Sequence, residues 1–194
     1  MNTLPTLAGL VIAGGSSTRM GRDKLALCRG HEQWWARQAR ILQASGASTV
    51  LLSRRAGQPS PEGILCIQDF YTDIGPMAGL HAALARPSAH LLAVLAVDMP
   101  LLKPNWFCGL LAHCDSSCGA LYSQGDFLEP LAALYPACAL PVVESQLHQG
   151  RLSLQALARR LASQGLLRVL PLPAALLAQA SSFNTPQSLD VLQS

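Results

Sequence analysis

The chain has 194 residues, half of them hydrophobic, 13% charged and 5% aromatic, with a formal net charge of +3. This is a foldable composition, which excludes an intrinsically disordered chain, and the length suffices for one domain with a substantial core. The basic residues are scattered except for Arg54-Arg55 and Arg159-Arg160, and no apolar run reaches the length of a membrane span, so neither a nucleic-acid partner nor a membrane is expected.

Met1 to Ala8 lacks a basic region and a cleavage-type sequence, so the expected location is cytoplasmic. Leu7 to Ala13 is a continuous apolar run, as a strand buried on both faces should be. It stops at Gly14-Gly15, followed by Ser16, Ser17 and Thr18, then Arg19, Gly21 and Lys24. Glycine lets a backbone approach an anion closely, and successive N–H groups can point at it. Arg19 and Lys24 add charge that would offset a polyphosphate. The segment is neither a Walker loop, which ends in Gly-Lys-Ser/Thr, nor a Gly-x-Gly-x-x-Gly dinucleotide fingerprint.

Downstream, helix and strand patterns alternate. Gln33 to Ser45 reads as a helix, and Thr49 to Ser53 and Ile64 to Ile67 as strands. Met77 to Ala85 reads as a helix opened by Gly75-Pro76, and Leu91 to Val97 as a purely apolar strand. Asn105 to His113 is a helix after Pro104, a good first-turn residue. Gly119 to Ser123 and Glu129 to Tyr135 read as strands around a loop at Gln124 to Phe127. Leu140 to Gln149 and Ser153 to Ser163 read as helices, Leu167 to Leu170 as a strand, and Gln187 to Leu192 as a last short helix. Such alternation predicts a three-layer α/β fold.

Parallel α/β sheets bind ligands beyond the carboxyl ends of their strands. That rule selects the loop after Ile12-Ala13, Ser53-Arg54, Asp69 and Asp98. Asp98 is the sharpest of these, a carboxylate delivered by seven apolar residues onto Met99-Pro100. A carboxylate at the end of a buried strand is costly unless paired or metal-bound, and Mg²⁺ typically takes one or two carboxylates plus substrate phosphates. A turn aspartate before Pro100 is the competing reading. No Ser-His-Asp arrangement is apparent, and His81 reads as packed or surface-exposed. The six cysteines form no Cys-x-x-Cys pair; Cys114 and Cys118, beside His113, read as apolar thiols rather than a zinc site.

Ile12 to Lys24 resembles the signature loop of the molybdenum cofactor guanylyltransferases, within the nucleotidyltransferase superfamily: Leu/Ile-Ala-Gly-Gly, three variable residues, Arg-Met/Phe-Gly, one variable residue, Asp-Lys. Asp98-Met99-Pro100-Leu101 is similar to the family's Asp-x-Pro motif, and Gly75, Pro76 and Gly79 to its Gly-Pro-Leu-x-Gly, with Met77 in place of leucine. The resemblance implies a Rossmann-like α/β/α nucleotidyltransferase fold over residues 1–194 with a mostly parallel sheet. It implies an enzyme that transfers GMP from GTP to molybdopterin cofactor, with Lys24, Arg19 and Asp98 as catalytic residues. It implies nucleotide binding by Ile12, Ala13, Gly14, Gly15, Lys24, Ser53, Asp69 and Asp98, and Mg²⁺ on Asp98. Glu129 and Asn184 are implied on the acceptor side, the latter within Asn184-Thr185-Pro186, where Thr185 as a helix cap is an equal reading. Molybdoenzyme apo-proteins or cofactor-handling proteins are the implied partners.

One departure is plain: Ser53 stands where the family often has asparagine near the base. The open alternatives are a sister transferase using CTP or a sugar or alditol phosphate acceptor, a non-catalytic nucleotide-binding protein of the same fold, and a redox cysteine protein. Gly14-Gly15 favours GTP, since cytidylyl relatives usually read Ala-Ala-Gly there.

Overall fold

A computed structural model describes residues 5–13, 28–29, 32–54, 57–58, 60–68, 74–86 and 89–181. Its strands are β1 (Leu7–Ile12), β2 (Cys28–Arg29), β3 (Glu32–Gln33), β4 (Thr49–Arg54), β5 (Leu65–Gln68), β6 (Leu91–Ala96), β7 (Gly119–Gln124), β8 (Phe127–Leu128), β9 (Ala132–Pro136) and β10 (Leu167–Pro171). Its α-helices are α1 (Trp34–Ala44), α2 (Pro76–Leu84), α3 (Pro104–Leu111), α4 (Leu140–His148) and α5 (Leu154–Ser163). The predicted final helix at Gln187 to Leu192 lies outside the described residues.

The main sheet runs β10-β7-β9-β6-β1-β4-β5, with β8 paired to β7, while β2 and β3 form a separate hairpin. β1 pairs in parallel with both β4 and β6, β4 with β5, and β7 with β10; β9 is antiparallel to β6 and β7. Every residue of β1 and β6 is buried, which is why both read as unbroken apolar runs rather than alternating ones. Alternate residues of these strands feed two cores. Val11, Leu52 and Leu95 pack with Trp34 and Leu42 of α1 and Trp106 and Phe107 of α3. Leu10, Leu51 and Val94 pack on the other face with Met77 and Leu80 of α2, Val143 of α4 and Leu157 and Leu161 of α5. Helices on both faces give the predicted three layers.

Local signals and packing agree in α5. Ser153 caps it by accepting from the Ala156 N–H at 3.3 Å, and Leu154, Leu157, Ala158 and Leu161 bury one stripe at helical spacing. The predicted strand Glu129 to Tyr135 is shorter than expected. It begins at Ala132, because Pro130 has no N–H to give a ladder. The break is held by the Tyr135 hydroxyl, which donates to the Pro130 carbonyl at 2.8 Å.

Candidate active site

β1 and β6 are neighbours although β4 follows β1 in the chain, so connections leave this pair in opposite directions. Such a reversal opens a crevice beyond the strand ends, where open α/β sheets hold ligands. At this point Ile12 stands opposite Ser53 on one side and Ala96 on the other. The Val97 N–H donates to the Ile12 carbonyl at 3.0 Å, which carries the pairing one residue past β6. Asp98 follows at once, 7% exposed, on a turn between two buried residues, Val97 and Met99.

Glu129 reaches the same edge by a different route. Because β9 runs antiparallel to β6, its beginning lies beside the end of β6, and the Ala96 N–H donates to the Leu131 carbonyl at 2.9 Å. Burial pushes the Glu129 carboxyl up to about 7. The native state therefore binds this proton more tightly than the unfolded chain does. The associated stability is fully present below the ordinary value of 4.5 and is lost as pH rises through about 7. Thermal unfolding from pH 4 to 8 should show this decline in the wild type and not in Glu129→Gln. Parallel curves for the two proteins would contradict it.

Ile12, Ala13, Ser53, Asp98 and Glu129 are thus brought to one edge of the sheet. Gly14, Gly15, Arg19, Lys24, Asp69 and Asn184 lie outside the described residues. Ser53 is wholly buried between Ile12 and Ile67 in the strand register. Arg54 closes the following loop, its Nη1 donating to the Gln58 carbonyl. Gly75, before α2, has φ 69° and ψ −152°, a region essentially reserved for glycine, and Pro76 takes the first helical turn. His81 is buried on α2 and faces Glu144 of α4, its Nε2 3.6 Å from the carboxylate.

The sequence reading missed Gln38 and Arg37. Gln38 is fully buried on α1, and its Nε2 donates to the Met99 carbonyl at 2.8 Å and the Ala96 carbonyl at 3.2 Å. Arg37 Nε donates to the Pro100 carbonyl at 2.9 Å. A signal was present: Gln38 lies four residues from both Trp34 and Leu42, a polar residue in an apolar stripe.

Away from this edge, Cys114 donates to the Leu110 carbonyl, and burial pushes its thiol up to about 12. Asp115 accepts from the Ser117 and Cys118 N–H groups at 2.9 Å each, which makes the Cys114–Cys118 segment a turn. Among the described residues no group of three His, Cys, Asp or Glu side chains could hold a metal ion. Among the same residues no helix is long and apolar enough to cross a membrane.

Residues 9–166 match the family described as the MobA-like NTP transferase domain. A protein of Opitutus terrae named probable molybdenum cofactor guanylyltransferase is 40% identical over 95% of this chain and 93% of its own. The crystal structure of molybdopterin-guanine dinucleotide biosynthesis protein A from Archaeoglobus fulgidus superposes with a TM-score of 0.74 at 23% identity, covering 96% of each chain. A 2-C-methyl-D-erythritol 4-phosphate cytidylyltransferase from Thermus thermophilus shares the fold at 14% identity, with a TM-score of 0.70 over 95% of this chain and 96% of that one.

Proposed function

Because the chain belongs to the MobA-like NTP transferase family, and within it to the molybdenum cofactor guanylyltransferases, we propose that it transfers GMP from GTP to the terminal phosphate of molybdopterin cofactor. It is a nucleotidyltransferase. An oxygen of the acceptor's terminal phosphate attacks the α-phosphorus of GTP, the bond to the β-phosphate oxygen breaks, and pyrophosphate leaves. The observation that carries this reading is the convergence of Ile12-Ala13, where the Gly14 to Lys24 segment begins, with Asp98 at the crevice between β1 and β6.

No protein nucleophile is needed for such chemistry; positioning and charge neutralisation suffice. Gly14 and Gly15 supply backbone donors, and Arg19 and Lys24 offset the charge of the triphosphate. Asp69 and Ser53 lie on the nucleotide side, and Glu129 and Asn184 on the acceptor side. A single buried strand-end carboxylate fits a metal ion that arrives with a nucleotide, since Mg²⁺ is commonly held by one or two carboxylates together with phosphates and water. Asp98 is the residue to hold it. When bound, Mg²⁺ supplies positive charge to the phosphate oxygens. We place the enzyme in the cytoplasm, with its product passed to molybdoenzyme apo-proteins or cofactor-handling proteins.

The test is pyrophosphate release by purified protein with Mg²⁺ and molybdopterin cofactor, comparing GTP, CTP, ATP and UTP. GTP-specific release that requires the pterin is expected. A preference for CTP would move the protein to the sister transferases, and no turnover with any nucleotide would overturn the reading. In the same assay Lys24→Ala should weaken GTP binding about tenfold and slow transfer by about 10²-fold, because a charge-assisted contact to the triphosphate is lost. Near-normal kinetics would remove Lys24 from the site.

A further inference from the structure

We propose that Gln38 is a positioning residue that sets the backbone of the Asp98 turn from the opposite side of the crevice wall, with Arg37 as its auxiliary. The inference rests on the reading of Asp98 as the nucleotide- and metal-binding carboxylate. β6 ends at Ala96, and from there the backbone turns out of the ladder while remaining buried as far as Pro100. Buried carbonyls that leave a ladder need other donors. Here α1 supplies them. Gln38 Nε2 lies 3.2 Å from the Ala96 carbonyl oxygen, 3.5 Å from that of Val97 and 2.8 Å from that of Met99. Arg37 Nε donates to the next carbonyl, Pro100, at 2.9 Å. Two adjacent side chains of one helix therefore hold carbonyls on both sides of Asp98.

The orientation of the Gln38 amide is fixed by chemistry. Carbonyl oxygens only accept, so the NH₂ group must face them. Its Oε1 is buried without a hydrogen-bond partner, a cost that an apolar residue at this position of the α1 stripe would avoid. What the Gln38 amide contributes in return is its set of bonds to the carbonyls on both sides of Asp98. The turn it holds presents Asp98 at the mouth of the crevice, directly after the residue that pairs with Ile12.

The experiment uses the full chain with Gln38→Met, which keeps length and removes the donor, together with Arg37→Ala and Asp98→Asn. Two readouts are taken: amide hydrogen exchange of a peptide spanning residues 94–102 in the metal-free protein, and calorimetric titration with GTP in Mg²⁺. Exchange reports local opening of the turn independently of global stability. Gln38→Met should exchange about tenfold faster in this peptide and bind GTP in Mg²⁺ about tenfold more weakly, the scale of one or two lost hydrogen bonds. Arg37→Ala should change both in the same direction by about threefold, and it decides the matter if Gln38→Met does not fold. A purely structural glutamine would lower the melting temperature and leave the affinity of the folded protein unchanged. That outcome, or wild-type exchange in the peptide, overturns the proposal while the function stands if Asp98→Asn has lost binding. Wild-type binding by Asp98→Asn would overturn the role of Asp98 and this inference together.

Discussion

Asp98→Asn should slow transfer by about 10²- to 10³-fold, while the protein melts within a few degrees of the wild type. The size follows from the proposed role: a charge directed at the reacting phosphates would be lost, and removing one such electrostatic group in other enzymes costs about this much. The stability expectation follows from shape. Asparagine is nearly isosteric with aspartate, and the residue is 7% exposed on a turn already held by the backbone bond from Val97 to Ile12 and by the α1 side chains. Pyrophosphate release and a thermal melt check the two halves. If Asp98 holds Mg²⁺ as proposed, raising Mg²⁺ should recover part of the lost rate, because added ion offsets a weakened affinity by mass action. A variant that keeps wild-type turnover would reduce Asp98 to a turn residue before Pro100.

Gly119→Ala should prevent β7 from forming in register, with a destabilisation of about 3 kcal/mol or more and a melting temperature lower by about 10 °C. The cause is space. A Cβ at residue 119 would sit on the Leu134 carbonyl oxygen, 2.8 Å from its carbon and 3.1 Å from Leu167 Cδ2. The first of these is backbone of β9, which is itself fixed to β6 across five paired positions, so it has no room to withdraw. Gly119 also donates to Leu166 at 3.0 Å, which ties β7 to the start of β10. Circular dichroism and thermal melting of the purified variant test this. A variant that melts within about 2 °C of the wild type would mean that β7 and β9 are less closely packed than the structure has them.

These two residues show how unequally the sequence discloses its parts. Asp98 was legible because seven apolar residues precede it, and a buried strand that ends in a carboxylate is visible in one dimension. Gly119 looked like any glycine opening a strand, since its constraint comes from Leu134, fifteen positions away in sequence. Glu129 was legible only as part of a motif. Its place near the carboxyl end of β6 follows from β9 running antiparallel against β6, and burial there pushes its carboxyl up to about 7. Gln38 was missed because a glutamine in a helix is usually a solvated residue, and its role depends on carbonyls about sixty positions downstream.

The sequence by itself determined the alternation of strands and helices and the buried character of β1 and β6, and the proposed phosphate-binding role of the Gly14 to Lys24 segment is read from it alone. Each of these is a property of neighbouring residues: hydrophobic period, glycine and proline placement, and charge at fixed spacing. Only the tertiary structure decided the strand order, the insertion of β9 between β6 and β7, the depth at which Ser53 lies, and the grip of α1 on the Asp98 turn. Those depend on which distant segments share a ladder or a core, and the period of a strand carries no record of its neighbour.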